Sequence, residues 1–138
     1  MTACLQVRLL FGILFLVGLG GLASPVPAGG HTKDSLAMVK KALADKKAVL
    51  LDVREQTEWD DGHIKDAKSL PLSVLQGKIK AENLARVLPK GQVIYCHCAA
   101  GGRCLKAAEV LREHGYDVRP LKPGYQALLK AGFPPAPR

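Results

Sequence analysis

A cysteine, four small residues and an arginine form the part of the sequence best suited to chemistry. In order, they are Cys98, Ala99, Ala100, Gly101, Gly102 and Arg103. Without bulky side chains, the backbone N–H groups of such a loop can converge into an anion-binding concavity. A thiol attacks only as its thiolate, and the loop N–H groups, a helix N-terminus and the arginine would all favour that form. The spacing therefore indicates covalent chemistry at Cys98 on an anionic substrate.

The segments on either side of this loop predict a strand before it and a helix after it. Residues 92–97 are rich in β-branched and aromatic side chains, as strands are. Residues 102–114 carry apolar residues at helical spacing, and Gly115 is placed to end that helix with a left-handed cap. Cys98 would thus lie at the carboxyl end of a strand, where open α/β sheets bind ligands.

Further helices and strands are predicted in alternation along the chain. Helices are expected over residues 35–46, 55–61, 72–88 and 124–130, and strands over 48–53, 67–70 and 116–121. This order predicts an α/β domain with a mainly parallel central sheet flanked by helices. We expect residues 32–138 to form this one domain.

The first 28 residues have the composition of an export signal. Arg8 is followed by an uncharged apolar stretch over residues 9–22, and then by small residues and prolines. The stretch is shorter than the roughly 20 residues that a spanning helix needs, and the order of features is that of a signal peptide. Cleavage is predicted after Ala23 or Ala28, which would make the protein periplasmic or secreted. The alternative is an uncleaved leader that engages a membrane and anchors the protein there.

The formal charge of the 138-residue chain is +8, but the lysines that carry it are scattered. Nucleic-acid interfaces usually combine a dense basic patch with stacking aromatic side chains. Aromatic residues make up only 5% of this chain, so we expect no nucleic-acid partner. A diffuse positive charge would still steer small anions toward the protein.

Three cysteines follow the predicted leader, all within nine residues: Cys96, Cys98 and Cys104. An odd number in so short a segment is not the disulfide framework of a small secreted protein. Together with His97 they would supply four metal ligands. Cys96 and His97 are nevertheless expected on opposite sides of a strand, so we expect no metal.

Three motifs together resemble the rhodanese family. Residues 51–64 contain Asp-Val-Arg and then Glu-Trp-Asp-Asp-Gly-His-Ile, which is similar to the family's first signature, and residues 67–72 continue it. Residues 98–103 resemble its active-site loop, in which an arginine lies five positions after a cysteine. Residues 122–133 are similar to its C-terminal Gly-aromatic and Ala-Gly elements. The resemblance covers about residues 33 to 135.

The resemblance implies a three-layer rhodanese-like fold and a sulfur-transfer reaction. Cys98 would take the outer sulfur of a small anionic donor such as thiosulfate, hold it as a persulfide and pass it to a thiol or cyanide. The loop N–H groups and Arg103 would bind the donor, and no cofactor would be required. Because Ala99 and Ala100 offer no polar group, recognition would rest on the backbone and Arg103. We expect a monomer.

The first signature supplies further residues of interest. The resemblance implies that Asp52, Glu58 and His63 are mainly structural, with His63 a hydrogen-bonded turn residue rather than a catalytic base. Arg54 is a candidate for the mouth of the site.

Two cysteines compete for the role of nucleophile. Counted from Cys98, the arginine lies five positions on and fits the family's loop, whereas from Cys96 it lies seven positions on. We therefore prefer Cys98. The related dual-specificity phosphatases use one more loop residue to accommodate a phosphate, so the same count disfavours phosphatase chemistry.

Other functions on this fold stay open at this point. One is a non-catalytic persulfide carrier that docks on a partner enzyme, and another is a thiol redox or phosphatase-like enzyme. Cys104 is near enough in sequence to resolve a persulfide or sulfenate on Cys98 as a disulfide. The alternative is that Cys96 and Cys104 are simply packed in the core.

Overall fold

The computed structural model of the protein describes residues 29–137. The leader predicted over residues 1–28 lies outside the described residues and stays a prediction. Within residues 29–137, no helix combines the length and the apolar character needed to cross a membrane.

Helices and strands alternate along the described part of the chain, close to their predicted positions. The helices are α1 (Leu36–Ala44), α2 (Gln56–Asp60), α3 (Leu72–Gln76), α4 (Ala81–Val87), α5 (Gly102–Glu113) and α6 (Tyr125–Lys130). The strands are β1 (Ala48–Asp52), β2 (Lys68–Ser69), β3 (Val93–His97) and β4 (Asp117–Pro120). Gly115 has a φ of +80° and follows α5, as its predicted capping role requires.

The strands form a parallel sheet in the order β2-β1-β3-β4. β1 and β3 pair along their whole length, from Ala48 opposite Val93 to Asp52 opposite His97. The carboxyl ends of the two central strands therefore lie side by side, and the loops that follow them share one edge of the sheet.

Helices cover both faces of the sheet and produce three layers. Because side chains alternate along a strand, Leu51 and Cys96 face one core, which also contains side chains of α3, α4 and α5. Leu50 and Tyr95 face the second core, together with side chains of α1 and α6. The predicted three-layer α/β fold with a parallel central sheet is confirmed.

The single helix predicted over residues 72–88 is wrong, because two helices occupy this segment. α3 ends at Gln76 and α4 begins at Ala81. Between them, Gly77 is a poor helix former, and Lys78 has a φ of +58°, outside the right-handed helical region. Leu75 and Leu84 nevertheless pack in the same core, which explains why the apolar spacing continues across the break.

Candidate active site

Cys98 follows β3 directly and lies at the beginning of the loop that leads into α5. Cys98 is only 1% exposed, and the N–H of Gly101 donates a hydrogen bond to Cys98 Sγ at 3.0 Å. Gly101 precedes α5 with a φ of +92°. A Cβ on Gly101 would also approach the carbonyl oxygen of Lys122 to 2.7 Å, so both conformation and space require glycine there.

The residues at the start of α6 pack against the backbone of residues 98–103, the cysteine loop. A Cβ on Gly124 would lie 1.7 Å from the carbonyl oxygen of Ala99. The N–H of Tyr125 donates to the carbonyl oxygen of Cys98 at 2.9 Å. The resemblance drew attention to this Gly-aromatic pair, and the structure shows that it holds the backbone of the cysteine loop.

His31 makes a contact with the loop that sequence reasoning missed. Its Nε2 lies 2.8 Å from the carbonyl oxygen of Gly101, so Nε2 carries the proton of this bond. His31 lies one residue before the predicted start of the domain. The two partners are 70 positions apart, and no local pattern in the sequence links them.

Arg103 is held by Glu58 of α2 through two hydrogen bonds. Its two terminal nitrogens donate to Oε2 at 2.5 Å and to Oε1 at 2.8 Å. This contact lowers the pKa of Glu58 to about 2 and raises that of Arg103. Glu58 also caps α2 by accepting the N–H of Glu55 at 3.0 Å. The structural role expected for Glu58 thus includes orienting the arginine of the cysteine loop, a pairing that the sequence did not reveal.

Arg54 lines a cleft beside the loop, but its guanidinium is already engaged. Nε and a terminal nitrogen donate to the carboxylate of Asp52 at distances from 2.6 to 3.0 Å, and the same terminal nitrogen donates to the carbonyl oxygen of Gly62 at 2.9 Å. The guanidinium also lies 4.0 Å from the centre of the Tyr125 ring. The cleft has a volume of about 590 Å³ and includes Glu58 in its wall. Arg54 therefore shapes the cleft more than it offers a free charge.

His97 is a buried residue that sequence reasoning considered only as a metal ligand. Its Nδ1 lies 3.3 Å from the carbonyl oxygen of Cys98. Its Nε2 lies 3.7 Å from Oδ2 of Asp52 and has no hydrogen-bond partner among residues 29–137. Burial lowers the pKa of His97, against the opposing effect of the Asp52 carboxylate. The neutral imidazole therefore contacts the backbone of Cys98. In the described part of the chain, no group of three or more His, Cys, Asp or Glu side chains is arranged to hold a metal ion.

Cys96, Cys98 and Cys104 form a buried row of free thiols. The Cys104 thiol raises the pKa of Cys98, and the Cys96 thiol in turn raises the pKa of Cys104. Cys104 Sγ also donates to the carbonyl oxygen of Gly101 at 2.9 Å. Cys96 and Cys104 pack in the core, and Cys98 borders the loop.

The acidity of Cys98 differs from the sequence-based expectation. Its bond to the Cys104 thiol and its burial raise the pKa of Cys98 to about 12, although N–H groups of Ala100 and Cys104 act in the opposite direction. The expected cradle of N–H groups is present, but the expectation of a net preference for the thiolate is wrong. The reason is that the sequence showed the donors near Cys98 and not the protonated thiol beside it.

Comparison with known proteins gives a consistent family relationship. The family model described as the rhodanese-like domain matches residues 35–131. The protein YqhL of Bacillus subtilis is 35% identical over 82 residues, which are 59% of this chain and 60% of YqhL. A sulfurtransferase of Allochromatium vinosum is 31% identical over 98 residues, which are 70% of this chain and 86% of that protein. The chain thus spans less than two thirds of the length of YqhL and most of the second relative.

One solved structure shares this fold over nearly the whole length of the solved protein. The human single-domain sulfurtransferase TSTD1 superimposes with a TM-score of 0.62 and 28% identity, covering 73% of this chain and 97% of TSTD1. The residues that the family model matches, 35–131, include the four strands and the loop that begins at Cys98.

Proposed function

Because the chain belongs to the rhodanese-like sulfurtransferase family, we propose that it transfers a sulfane sulfur from thiosulfate, or a similar anion, through a persulfide on Cys98. The observation that supports this most directly is the bond from the Gly101 N–H to Cys98 Sγ at 3.0 Å. A sulfur covalently attached to Cys98 would extend from this point toward the small residues of the loop.

Donor binding would rely on the backbone and on one oriented cation. Ala99, Ala100 and Gly102 are exposed, and their N–H groups border the place where an anionic end group would lie. Arg103 lies beside them with its guanidinium fixed by Glu58. Part of its charge is balanced by that carboxylate, so the backbone has the larger share in recognition.

The first half-reaction forms one sulfur–sulfur bond and breaks another. The Cys98 thiol first loses its proton to solvent, and the thiolate attacks the outer sulfur of thiosulfate. The bond between the two sulfur atoms of thiosulfate breaks, and sulfite leaves with the electron pair. The product is a persulfide anion whose charge the loop N–H groups can stabilise.

The second half-reaction returns the enzyme to its starting state. An acceptor thiolate or cyanide attacks the outer sulfur of the persulfide and takes it, and the Cys98 thiolate leaves. The 590 Å³ cleft beside the loop, lined by Arg54, Glu58 and Tyr125 among others, is the place that we propose for the acceptor.

Thiocyanate formation from thiosulfate and cyanide tests this proposal. Wild type should turn over, and Cys98→Ser should fall to the level of the buffer blank. Cys96→Ser is the matched control, because it changes an equally buried thiol two residues away, within β3. Turnover that survives in Cys98→Ser would exclude Cys98 as the nucleophile.

Mass spectrometry separates an enzyme from a non-catalytic carrier. When the reaction with thiosulfate is quenched rapidly, before the carried sulfur is lost, the tryptic peptide of residues 91–103 should gain the mass of one sulfur atom. This peptide holds both Cys96 and Cys98, so the Cys96→Ser variant assigns the sulfur to Cys98. A labelled peptide without turnover would indicate a carrier, and hydrolysis of aryl phosphates without labelling would indicate a phosphatase-like enzyme.

A further inference from the structure

The thiol of Cys104 is buried in the same core as Cys98, next to the loop residue Gly101. Cys104 is in the first turn of α5 and is fully buried, whereas the loop residues Ala99 and Ala100 on the other side of Cys98 are exposed. The Cys98 and Cys104 side chains belong to the same buried core, and each sulfur atom contacts the backbone of Gly101. A sulfur carried for transfer must reach the exposed loop, whereas the Cys104 thiol is enclosed in the core with Cys98.

The backbone around Cys104 holds its thiol close to Cys98. Cys104 Sγ contacts the carbonyl oxygens of Gly101 at 2.9 Å and Leu121 at 3.3 Å. Gly101 also donates its N–H to Cys98 Sγ at 3.0 Å. Gly101 therefore contacts both sulfur atoms. The surrounding backbone leaves no space for a Cβ at this position, so Gly101 is packed tightly in place.

We propose that Cys104 is a resolving thiol, which displaces the carried sulfur from Cys98 as hydrosulfide and leaves a Cys98–Cys104 disulfide. This inference rests on the proposed persulfide on Cys98. It assigns a second outcome to that persulfide, besides direct transfer of the sulfur to an external acceptor.

The step balances without any further reactant. Cys104 Sγ attacks Cys98 Sγ, a Cys98–Cys104 bond forms, and the bond from Cys98 to the outer sulfur breaks. The outer sulfur leaves with the electron pair and receives the proton of the Cys104 thiol, which gives hydrosulfide. Two cysteine thiols are oxidised and the sulfane sulfur is reduced. An external dithiol then reduces the disulfide by exchange and restores both thiols.

The position of Cys104 favours this reaction over attack by an outside thiol at the same atom. An outside thiol would have to enter the core to reach Cys98 Sγ, because Cys98 is only 1% exposed, whereas the Cys104 thiol is already in that core. Cys96 is also in this core, but its thiol contacts Cys104 and the carbonyl oxygen of Cys104, at 3.4 Å. Cys104 is therefore the thiol that stands next to the persulfide sulfur of Cys98.

A single turnover without an acceptor tests the assignment. The full chain is reduced, freed of reductant, treated with thiosulfate and analysed for free hydrosulfide and for protein mass. Wild type should release hydrosulfide and lose two hydrogens. Cys104→Ser should retain the mass of one extra sulfur and release no more hydrosulfide than Cys98→Ser. Cys104→Ala, which also lacks the thiol but leaves no buried hydroxyl, should behave in the same way.

Trypsin makes the disulfide directly visible. It cuts after Arg103, so that Cys98 and Cys104 fall on different peptides. Wild type should yield these two peptides joined, and the joined pair should persist in Cys96→Ser. A pair that is lost in Cys96→Ser would mean that Cys96, and not Cys98, bonds to Cys104.

The outcomes distinguish failure of this inference from failure of the proposed function. A stable persulfide in both wild type and Cys104→Ser, with no joined peptides and no hydrosulfide, would overturn the resolving role and leave sulfur transfer intact. Absence of added sulfur in every variant, including Cys104→Ser, would overturn the proposed function itself. Circular dichroism of each variant shows whether it is folded.

Discussion

At the scale of single residues, we expect the protonation state of Cys98 to set the rate of the proposed sulfur uptake. Burial and the Cys104 thiol raise its pKa to about 12 from an ordinary value of 9.0. Only the thiolate attacks, so the rate of persulfide formation from thiosulfate should rise with pH from neutrality through pH 10 without a plateau. Stopped-flow measurement of sulfite release gives this profile.

A matched variant identifies the cause of that raised pKa. Cys104→Ala removes the contact with the largest effect on Cys98, and so should move the profile to lower pH and speed persulfide formation at pH 8. A wild-type profile that levels off below pH 8 would contradict the buried, protonated resting thiol.

The same thiol also affects stability. Because the pKa of Cys98 is higher in the folded protein than in the unfolded chain, its contribution to stability is present below about pH 9 and is lost as the pH rises toward 12.

Glu58 offers a second test, because it orients Arg103 and caps α2 at once. Glu58→Gln retains an oxygen for the N–H of Glu55 but loses the charge that pairs with Arg103. The pair is about one-third exposed on each side, so the loss of stability should be modest, about 1 kcal/mol. Arg103 is then no longer held, so the KM for thiosulfate should also change. Expressed as a free energy, this change should be larger than the loss of stability. Steady-state kinetics and urea unfolding measure the two effects.

Asp60→Asn is the control for this variant, since Asp60 is an exposed carboxylate of the same helix that bonds only to Gln56 in α2. It should leave the KM for thiosulfate unchanged.

The pKa of Glu58 near 2 also predicts a pH dependence of stability. The stabilising contribution of Glu58 is present above about pH 4.5 and is lost as the pH falls toward 2. Acid unfolding that is the same for wild type and Glu58→Gln would show that the pair does not form in solution.

At the scale of elements, the start of α6 determines the shape of the cysteine loop. Gly124→Ala would place a Cβ 1.7 Å from the carbonyl oxygen of Ala99. Backbone must then move, at a cost of about 3 kcal/mol in stability, and the bond from Tyr125 N–H to the Cys98 carbonyl would be disturbed. We expect thiocyanate formation to fall strongly while the two cores stay packed. Thermal unfolding and the cyanide assay report the two effects separately.

Gly77→Ala provides the comparison for this change. Gly77 lies between α3 and α4 with a φ of −79°, which alanine adopts readily, and the nearest described atoms would be 3.4 Å from its Cβ. This variant should retain wild-type turnover and stability within about 1 kcal/mol. Equal activity of Gly124→Ala and wild type would mean that the loop is not held by α6.

The same elements show what the sequence can and cannot predict. The strand that ends at His97, the helix that begins at Gly102 and the loop between them are predictable, because apolar runs and glycines mark them locally. The break after Gln76 is not, since apolar side chains on both sides of it face one core. The Glu58–Arg103 pair, 45 positions apart, is also invisible in one sequence, because only the folded sheet brings α2 beside α5.

At the scale of the whole molecule, the predicted export signal ends three residues before His31, which contacts the cysteine loop. Cleavage after Ala28 would leave Gly29 and Gly30 ahead of His31, whose side chain contacts Gly101. Three residues span at most about 10 Å, so any attached leader or anchor would begin near the loop. We propose that the protein is exported. When it is expressed with its leader in a bacterium, the mature protein should begin after Ala23 or Ala28, as intact mass would show.

Two truncated chains test whether the segment after that cut belongs to the working protein. A chain that begins at residue 29 retains His31, and one that begins at residue 32 loses it together with its 2.8 Å bond to the carbonyl oxygen of Gly101. Such a bond contributes about 1 kcal/mol, and the carbonyl belongs to the residue whose N–H contacts Cys98 Sγ. The shorter chain should therefore lose stability by about this amount and show slower persulfide formation, whereas the longer chain should match the exported protein. His31→Ala in the longer chain is the control, because it removes the side chain and leaves the length unchanged. If it matches the unmodified longer chain in both measurements, the His31 contact has no part in holding the loop.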